Sequence, residues 1–346
     1  MKKILIMRYR FIGDTLLTVP FLRNLRYNYP DAQIDMLVSS GSGEIIEDCP
    51  YVNNFIFFDT TKKFKYETGK KKSFFDYVKL LRKEKYDKIY VLKRSFSSAF
   101  LAFLAGAKER VGFDTEFRGI LLTKKVPYDK DKHENECFLD VLRADDLKVE
   151  DTYLEGFIDP ETEKNVQKIF NDTGLNTGVK KVVVHATAST PAKEWNRENW
   201  ARVIEYLANE KNAQVFFVGS EKDAPAYREI LSYVKDELNI KPVNFCGKFN
   251  LKESLTAIKQ ADLMVGIDSG NLHMASAVKT RVIGLYGPMN EKKWGAYPCK
   301  SGANLLLTSA VKCRPCGLSK KCKNNYKCLS EITIGQVFKA IDTVLQ

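Results

Sequence analysis

The 346-residue sequence contains no apolar run that approaches the roughly 20 residues a helix needs to cross a bilayer. It has only three histidines, and they lack the His/Asp spacing of a catalytic metal centre. The Gly-x-Gly-x-x-Gly fingerprint and the P-loop are both missing, since Gly41-Ser42-Gly43 has no third glycine. These absences argue against a membrane-spanning protein, a histidine-based metalloenzyme, an NAD-binding enzyme and a P-loop ATPase.

The composition is that of a soluble globular protein, with 44% hydrophobic and 28% charged residues. A chain of this length exceeds one ordinary hydrophobic core, and two domains are therefore predicted. The start of the chain has only four apolar residues, Ile4–Met7, before Arg8. This pattern indicates a first β-strand and not a signal peptide, so we expect the protein to be made and kept in the cytoplasm.

The net charge of +12 is concentrated in two stretches. Lys62–Arg94 carries 13 Lys/Arg against 4 Asp/Glu and is interleaved with Phe and Tyr, while Val311–Cys328 carries 6 Lys/Arg and no acid. Such a local excess indicates either an anionic partner or a solvated lysine-rich face. Nucleic acid is not the expected partner, because the sequence contains no recognition module for it.

Strands and helices alternate from Ile4 to Phe113 and again from Lys181 to Tyr286. This alternation predicts the α/β class, with parallel sheets covered on both faces by helices. Asn176-Thr177-Gly178 is typical of a linker, so we predict two doubly wound domains, 1–175 and 176–346. Ligands of such folds bind at the carboxyl ends of the strands, and the two edges are expected to face a shared cleft.

A phosphate site is predicted where the apolar strand Leu263–Ile267 runs into Asp268-Ser269-Gly270. Asp268-Ser269-Gly270 is typical both of a turn and of a helix N-cap, and the small residues after it can continue as a helix. Free backbone N–H groups and the positive end of the helix dipole at such a junction favour a phosphate. We therefore expect a nucleotide diphosphate to bind there.

Polar residues follow three further predicted strands. Small hydroxyl residues lie between His185 and Lys193, whose charge can neutralise phosphate oxygens. Gly219–Asp223 follows the next strand and can meet a base or ribose. Asp14 follows the first strand, where it is either a helix N-cap or a carboxylate that takes a proton from an attacking hydroxyl.

Eight cysteines are present, and four of them are scattered: Cys49, Cys137, Cys246 and Cys299. In a cytoplasmic protein these are expected to be thiols, most of them buried as small hydrophobic residues. The other four cluster as Cys313-x2-Cys316-x5-Cys322-x5-Cys328. Their irregular spacing leaves a zinc site, reduced thiols in a basic loop, and two disulfides as alternatives.

Taken in order, these segments resemble glycosyltransferase family 9, the ADP-heptose:lipopolysaccharide heptosyltransferases. The resemblance covers nearly the full length and is carried by Ile4-Leu5-Ile6, Gly13-Asp14, Thr18-Val19-Pro20, His133, His185 to Lys193-Glu194-Trp195, Gly219 to Asp223, Asp268-Ser269-Gly270 with His273, and Gly284 to Pro288. It implies the GT-B fold of two Rossmann-like domains and inverting heptose transfer from ADP-heptose, with no cofactor and no essential metal. The cysteine tail is similar to that of heptosyltransferase II-like members.

The resemblance implies that Asp14 is the catalytic base. It also implies a donor site made of Thr187, Ala188, Lys193, Glu221, Asp268, Ser269, Gly270 and His273. Ser269 stands where the family usually has threonine, and Ala188 stands where many relatives have a hydroxyl or glycine, so any contact of Ala188 is through its backbone. Asp268 is a carboxylate beside a diphosphate, and we expect it to cap the helix or orient its neighbours without touching phosphate.

The resemblance also implies that the N-terminal domain binds an anionic glycolipid, the lipid A–Kdo core, at the cytoplasmic face of the inner membrane. The expected contacts are basic: Arg8, Arg10, Lys93 and Arg94. Three alternatives remain open, namely a transferase of the same fold with another nucleotide sugar, a non-hydrolysing sugar-nucleotide epimerase, and a catalytically idle nucleotide-sugar binding protein. The epimerase is expected to need more acid and base residues than the single clear candidate.

Overall fold

A computed structural model describes residues 1–59, 72–175, 178–297, 304–318 and 321–345. The chain divides into two compact units, Met1–Thr152 (unit 1) and Tyr153–Gln346 (unit 2). No helix within these described ranges is both long enough and apolar enough to span a bilayer. Three features of the sequence fall outside the described residues: the first part of the basic stretch (Lys62–Lys71), Asn176-Thr177 of the predicted linker, and Cys299.

Unit 1 is built on a six-stranded parallel sheet. Its strands are β1 (Lys3–Met7), β2 (Gln33–Val38), β3 (Asn54–Phe57), β4 (Lys88–Val91), β5 (Glu109–Phe113) and β6 (Lys124–Val126). The spatial order is β3-β2-β1-β4-β5-β6, and every neighbouring pair is parallel. Strands β1 and β4 are central and buried on both faces, which explains the apolar runs that follow the first lysine of each strand.

The helices of unit 1 cover both faces of this sheet. They are α1 (Ile12–Leu16), α2 (Val19–Asn28), α3 (Ser40–Gly43), α4 (Phe74–Glu84), α5 (Phe96–Ala105) and α6 (Glu134–Ala144). Helix α4 begins at a capping box in which Ser73 and Asp76 bond each other's backbone N–H, and it ends at Lys85 in the left-handed conformation. The chain forms two successive helices after β1, α1 and α2, with Pro20 in the first turn of α2.

Unit 2 contains a second six-stranded parallel sheet. Its strands are β7 (Lys181–His185), β8 (Gln214–Phe217), β9 (Val243–Asn244), β10 (Leu263–Ile267), β11 (Arg281–Leu285) and β12 (Leu305–Leu307). The spatial order is β12-β11-β10-β7-β8-β9. Counted within its own unit, this is the same order as in unit 1, namely 3-2-1-4-5-6, which is that of dinucleotide-binding folds.

The helices of unit 2 are α7 (Pro160–Asp172), α8 (Arg197–Glu205), α9 (Ala224–Ser232), α10 (Leu251–Lys259), α11 (Gly270–Ala277), α12 (Glu291–Trp294), α13 (Lys327–Ser330) and α14 (Ile334–Val344). Helix α8 continues into a π-helical turn, Tyr206–Glu210. Helix α7 belongs to this unit because Phe170 packs edge-on against Phe216 at 5.4 Å and stacks on Phe245 at 5.6 Å between ring centroids. The division between the units at Thr152 therefore precedes the boundary predicted at residue 175.

Candidate active site

The predicted site residues lie mostly in four loops that the strand order brings together in pairs. In each sheet the order reverses between the first and fourth strands, β1 and β4 in unit 1 and β7 and β10 in unit 2. Ligands of open α/β sheets bind at the carboxyl ends of the strands beside such a reversal. The loops after β1 and β4 carry Arg8 to Asp14 and Lys93 to Arg94, and those after β7 and β10 carry Thr187 to Lys193 and Asp268 to Gly270.

Asp14 lies in the first turn of α1 and forms an ion pair with Arg8. The Arg8 Nη2 atom is 2.6 Å from Asp14 Oδ2, and the Asp14 side chain is only 14% exposed. Phe11, and not Asp14, occupies the N-cap of α1, so the interpretation of Asp14 as a simple cap is wrong. The carboxylate is instead held at the carboxyl end of β1 by a buried cation.

Burial raises the pKa of Asp14 above its ordinary value because desolvation disfavours the charged carboxylate. Glu134 raises the same pKa by charge repulsion, whereas Arg8 and Lys93 oppose the shift. A carboxylate with a raised pKa accepts a proton more readily than an exposed aspartate. The surroundings of Asp14 therefore suit a general base.

Substitution of two charged neighbours of Asp14 should shift the pH dependence of activity in opposite directions. If ionised Asp14 is the base, activity is lost as pH falls through its pKa. Arg8→Met removes a charge that lowers this pKa, so the acidic limb of kcat/KM should move to higher pH. Glu134→Gln removes a charge that raises it, so the limb should move to lower pH. Shifts in the same direction for both variants would assign the limb to another group.

The four predicted acceptor residues lie after β1 and β4, and the charges of two of them, Arg8 and Lys93, act on the Asp14 carboxylate. Arg8 contacts it directly, and burial together with the positive charge of Arg8 lowers the pKa of Lys93. Arg94 places its guanidinium 3.9 Å above the ring of Tyr128 and its Nη2 atom 3.6 Å from Glu134. Arg10 is exposed, and its backbone N–H donates to Ser39 Oγ at 3.2 Å. Together with Asp14 and Glu134 these residues form a strongly basic cluster that includes two acids.

Two residues of this cluster were not predicted from the sequence, Glu134 and Arg118. Glu134 is buried and accepts a hydrogen bond from the Tyr128 hydroxyl at 2.6 Å. Arg118 is fully buried, and its Nε donates to the Phe113 carbonyl at 2.7 Å while Nη1 donates to the Lys93 carbonyl. Arg118 thereby holds the backbone of the loop after β4. His133, part of the resemblance, is the N-cap of α6.

In unit 2, Lys193 forms an ion pair with Asp268 across the loops after β7 and β10. The Lys193 Nζ atom is 2.7 Å from Asp268 Oδ2, with the two side chains 23% and 10% exposed. An ammonium has three N–H donors, so Lys193 can bind a phosphate while it stays paired with Asp268. Asp268 does not cap α11, whose N-cap is Ser269. Its contact with Lys193 leaves the other expected role, the orientation of a neighbouring residue, as a prediction.

The start of α11 presents groups that the protein itself does not satisfy. Ser269 has extended backbone angles, but its side chain makes no cap hydrogen bond. Its Oγ atom is buried and has no hydrogen-bond partner in the structure. Gly270 is the first helical residue, so the first backbone N–H groups and the positive end of the dipole lie beside this hydroxyl. The junction therefore suits a phosphate group.

His273 lies one turn further along α11 and is buried. Burial lowers its pKa to about 4, although the nearby charge of Asp268 acts in the opposite direction. The imidazole is therefore neutral at physiological pH, and its buried Nδ1 atom has no hydrogen-bond partner. A neutral ring beside Lys193 adds hydrogen-bonding capacity without adding charge.

The remaining predicted donor residues differ in position. Thr187 is buried after β7, whereas the Ala188 backbone N–H already donates to Glu194 Oε1 at 3.3 Å. Glu221 is exposed in a 3₁₀ turn after β8, next to and not at the reversal of strand order. A contact that was not predicted joins the two central loops, since the Asn271 side-chain amide lies 2.9 Å from His185 Nδ1. It ties the first turn of α11 to the end of β7.

The cysteines fall into two groups, as the sequence indicated. Cys49, Cys137 and Cys246 are buried thiols. Burial, and then the neighbouring thiols of Cys316, Cys313 and Cys322, raise the pKa of Cys328. Among the residues that the structure describes, no disulfide joins them, and no three His, Cys, Asp or Glu side chains are placed to hold a metal ion.

Comparison with known proteins identifies the family of the chain. The family model for glycosyltransferase family 9 (heptosyltransferase) matches residues 75–327. Lipooligosaccharide heptosyltransferase 2 of Haemophilus influenzae is 30% identical over 295 residues, covering 82% of this chain and 83% of the relative. The crystal structure of a family 9 glycosyltransferase from Veillonella parvula superposes with a TM-score of 0.84 at 25% identity, covering 99% and 97% of the two chains.

The fold is also that of Escherichia coli ADP-heptose LPS heptosyltransferase II, with a TM-score of 0.76 at 24% identity and coverage of 100% and 98%. The two Rossmann-like units are therefore those of a GT-B glycosyltransferase. The matches extend over both units and include the loops after β7 and β10. The chain belongs to glycosyltransferase family 9, the heptosyltransferases.

Proposed function

We propose that this protein transfers a heptose from ADP-heptose to the inner core of lipopolysaccharide, with inversion at the anomeric carbon. The observation that carries this proposal is the Lys193–Asp268 pair beside the uncapped start of α11. A cation and free helical N–H groups together bind a diphosphate. The heptosyltransferase relatives named above support heptose as the transferred sugar.

We assign the donor to unit 2 and the acceptor to unit 1. Lys193, Ser269, Gly270 and His273 would hold the ADP portion of the donor, with Asp268 orienting Lys193. Arg8, Lys93 and Arg94 would bind phosphate or carboxylate groups of the lipid A–Kdo acceptor, because basic side chains recognise such groups by charge-assisted hydrogen bonds. The enzyme would then work in the cytoplasm at the inner surface of the membrane that carries this glycolipid.

The proposed reaction is a single displacement. Arg8 contacts Asp14 Oδ2, so Oδ1 is the oxygen that we assign as the proton acceptor. The acceptor hydroxyl loses its proton to Asp14 as its oxygen bonds to the anomeric carbon, and the bond from that carbon to the ADP oxygen breaks. Lys193 and the start of α11 stabilise the negative charge of departing ADP. No step is assigned to a metal ion.

A ligand screen tests the donor assignment. ADP and ADP-heptose should raise the melting temperature of the protein, because a ligand that binds only the folded state stabilises it. GDP- and UDP-sugars should have little effect at the same concentration. Ser269→Ala is a suitable comparison, since it removes the unpartnered hydroxyl and should reduce the ADP-induced shift. A larger shift with a UDP- or GDP-sugar would reject heptose as the transferred group while leaving the fold unchanged.

A further inference from the structure

Helix α5 of unit 1 is apolar on the side that faces solvent as well as on the side that faces the core. Its ten residues include no charged side chain. Phe96, Phe100 and Phe103 are spaced at i, i+4 and i+7 and therefore share one stripe of the helix. Phe96 is 45% and Phe103 is 47% exposed, whereas the core-facing residues of α5 are buried. A surface helix normally keeps such a stripe polar.

Helix α4 extends this stripe. The ring of Phe74 stacks on Phe100 at 6.1 Å between centroids, and the ring of Phe96 stacks on Phe100 at 6.2 Å. Phe75 meets Phe74 edge-on at 5.8 Å and is itself 65% exposed. These five residues, Phe74, Phe75, Phe96, Phe100 and Phe103, are called the phenylalanine ridge below. Contiguous exposed aromatic rings of this kind mark an interaction surface.

The charges around the ridge are mainly positive. Lys72, Lys79 and Lys108 are exposed, and the guanidinium of Arg110 lies 5.6 Å from the ring centroid of Phe103. The two exposed acids nearest in sequence are already engaged, since Asp76 caps α4 through Ser73 and Glu109 pairs with Lys88 at 2.7 Å. Residues 72–110 contain ten Lys/Arg against four Asp/Glu. The surroundings therefore complement an anionic surface.

The ridge continues directly from the proposed acceptor site. Lys93 and Arg94 end the loop after β4, and Phe96 is the first residue of α5. The Ser95 backbone N–H donates to the Lys93 carbonyl at 3.1 Å, so the turn between them is hydrogen-bonded. Phe96 is only two residues from Arg94, a proposed acceptor contact. The ridge would therefore meet the bilayer that holds the acceptor lipid.

We propose that the phenylalanine ridge inserts into the interface of a bilayer containing anionic lipid and so docks unit 1 on the membrane. The inference rests on the proposed function, which makes the acceptor a membrane glycolipid. Aromatic rings favour the boundary between headgroups and acyl chains, and neighbouring Lys and Arg side chains bind anionic headgroups. A second copy of this chain is a weaker candidate for the partner of the ridge. Pairing of two ridges would bring their surrounding Lys and Arg side chains together, and these charges repel each other.

Vesicle sedimentation tests this proposal. The wild-type protein should bind vesicles of phosphatidylglycerol and phosphatidylethanolamine and bind phosphatidylcholine vesicles much less. The triple variant Phe75→Ser, Phe96→Ser and Phe103→Ser should lose at least about tenfold in partitioning, because apolar burial and electrostatic attraction act together at the interface. Tyr233→Ser with Tyr326→Ser replaces aromatics of comparable exposure in unit 2 and should change nothing. Circular dichroism checks that each variant is folded.

Turnover separates this inference from the proposed function. The triple variant should keep its kcat/KM with a delipidated, water-soluble acceptor and lose turnover only with acceptor embedded in vesicles. Ridge-dependent vesicle binding without heptose transfer would reject the proposed function and leave the docking surface in place. Wild-type transfer without any binding to anionic vesicles would overturn the docking proposal alone. Loss of a dimer in the triple variant, with vesicle binding unchanged, would show the occupant to be a second copy.

Discussion

Replacing Asp14 with asparagine should lower kcat by about 100- to 10,000-fold, the contribution of a well-placed general base. The amide keeps the size of the side chain but cannot take a proton from the acceptor hydroxyl. The affinity for ADP, measured by titration calorimetry, should stay within about twofold, because Asp14 lies in unit 1 and the proposed donor contacts lie in unit 2. Turnover is followed as ADP release.

The control for this variant is Asp31→Asn, an exposed carboxylate in unit 1 beyond the end of α2. It should leave kcat unchanged and show that the loss does not follow from removal of one negative charge. Near-normal turnover by Asp14→Asn would remove Asp14 from the mechanism. A loss of ADP affinity equal to the loss of kcat would assign it a role in donor binding instead.

Lys193→Met should reduce kcat by roughly 100- to 1,000-fold and weaken ADP binding as well, because one fixed cation is lost from the departing diphosphate. The substitution also leaves the Asp268 carboxylate without its partner at 2.7 Å. An unpaired carboxylate repels the diphosphate, so part of the loss comes from Asp268 and not from the missing cation. Steady-state kinetics and calorimetry together measure both effects.

The double variant Lys193→Met with Asp268→Asn separates these two contributions. It should regain part of the ADP affinity lost in Lys193→Met, because the uncompensated carboxylate is gone, while kcat stays low. The coupling between the two changes is obtained from the double-mutant cycle. Additive effects would mean that the ion pair does not operate in the donor complex. If Lys193→Met alone retained turnover within about threefold, the assignment of Lys193 to the diphosphate would be wrong.

The central strands were predictable from the sequence because they are buried on both faces. Leu263–Ile267 was predicted to the residue, and β1 was predicted as Ile4–Met7, which omits only its first residue, Lys3. Such strands give short continuous apolar runs bounded by polar residues. The loops that follow them were therefore also found, and most of the candidate site residues lie in those loops.

Shorter and terminal elements were missed for different reasons. The edge strands β6 and β12 have three residues each, too few to show a period. Helix α14 did leave a signal, the capping box formed by Thr333 and Gln336, which marks a helix start. The boundary between the units differed because α7 is joined to unit 2 by the ring contacts of Phe170, which the linker-like composition after it did not indicate.

The ionic contacts of the site were beyond sequence reasoning. Lys193 and Asp268 are 75 positions apart, and only the parallel pairing of β7 with β10 brings their loops together. Arg118 is buried and donates to the Lys93 carbonyl because of how a short 3₁₀ turn packs. Such a turn shows no hydrophobic periodicity in the sequence. Residue type and position after a strand were enough to predict candidate site residues. Their ion-pair partners and pKa shifts depend on contacts between residues that are distant in sequence.

The proposed donor and acceptor loops belong to two separate sheets, so the proposed assignment makes specificity modular. Loops after β1 and β4 belong to one hydrogen-bonded ladder, and loops after β7 and β10 belong to another. A substitution in the first pair leaves the backbone bonds of the second sheet untouched. With the acceptor assigned to unit 1 and the donor to unit 2, as proposed above, acceptor choice and donor choice would diverge separately during evolution. Each could then be redesigned by grafting one pair of loops onto an unchanged scaffold.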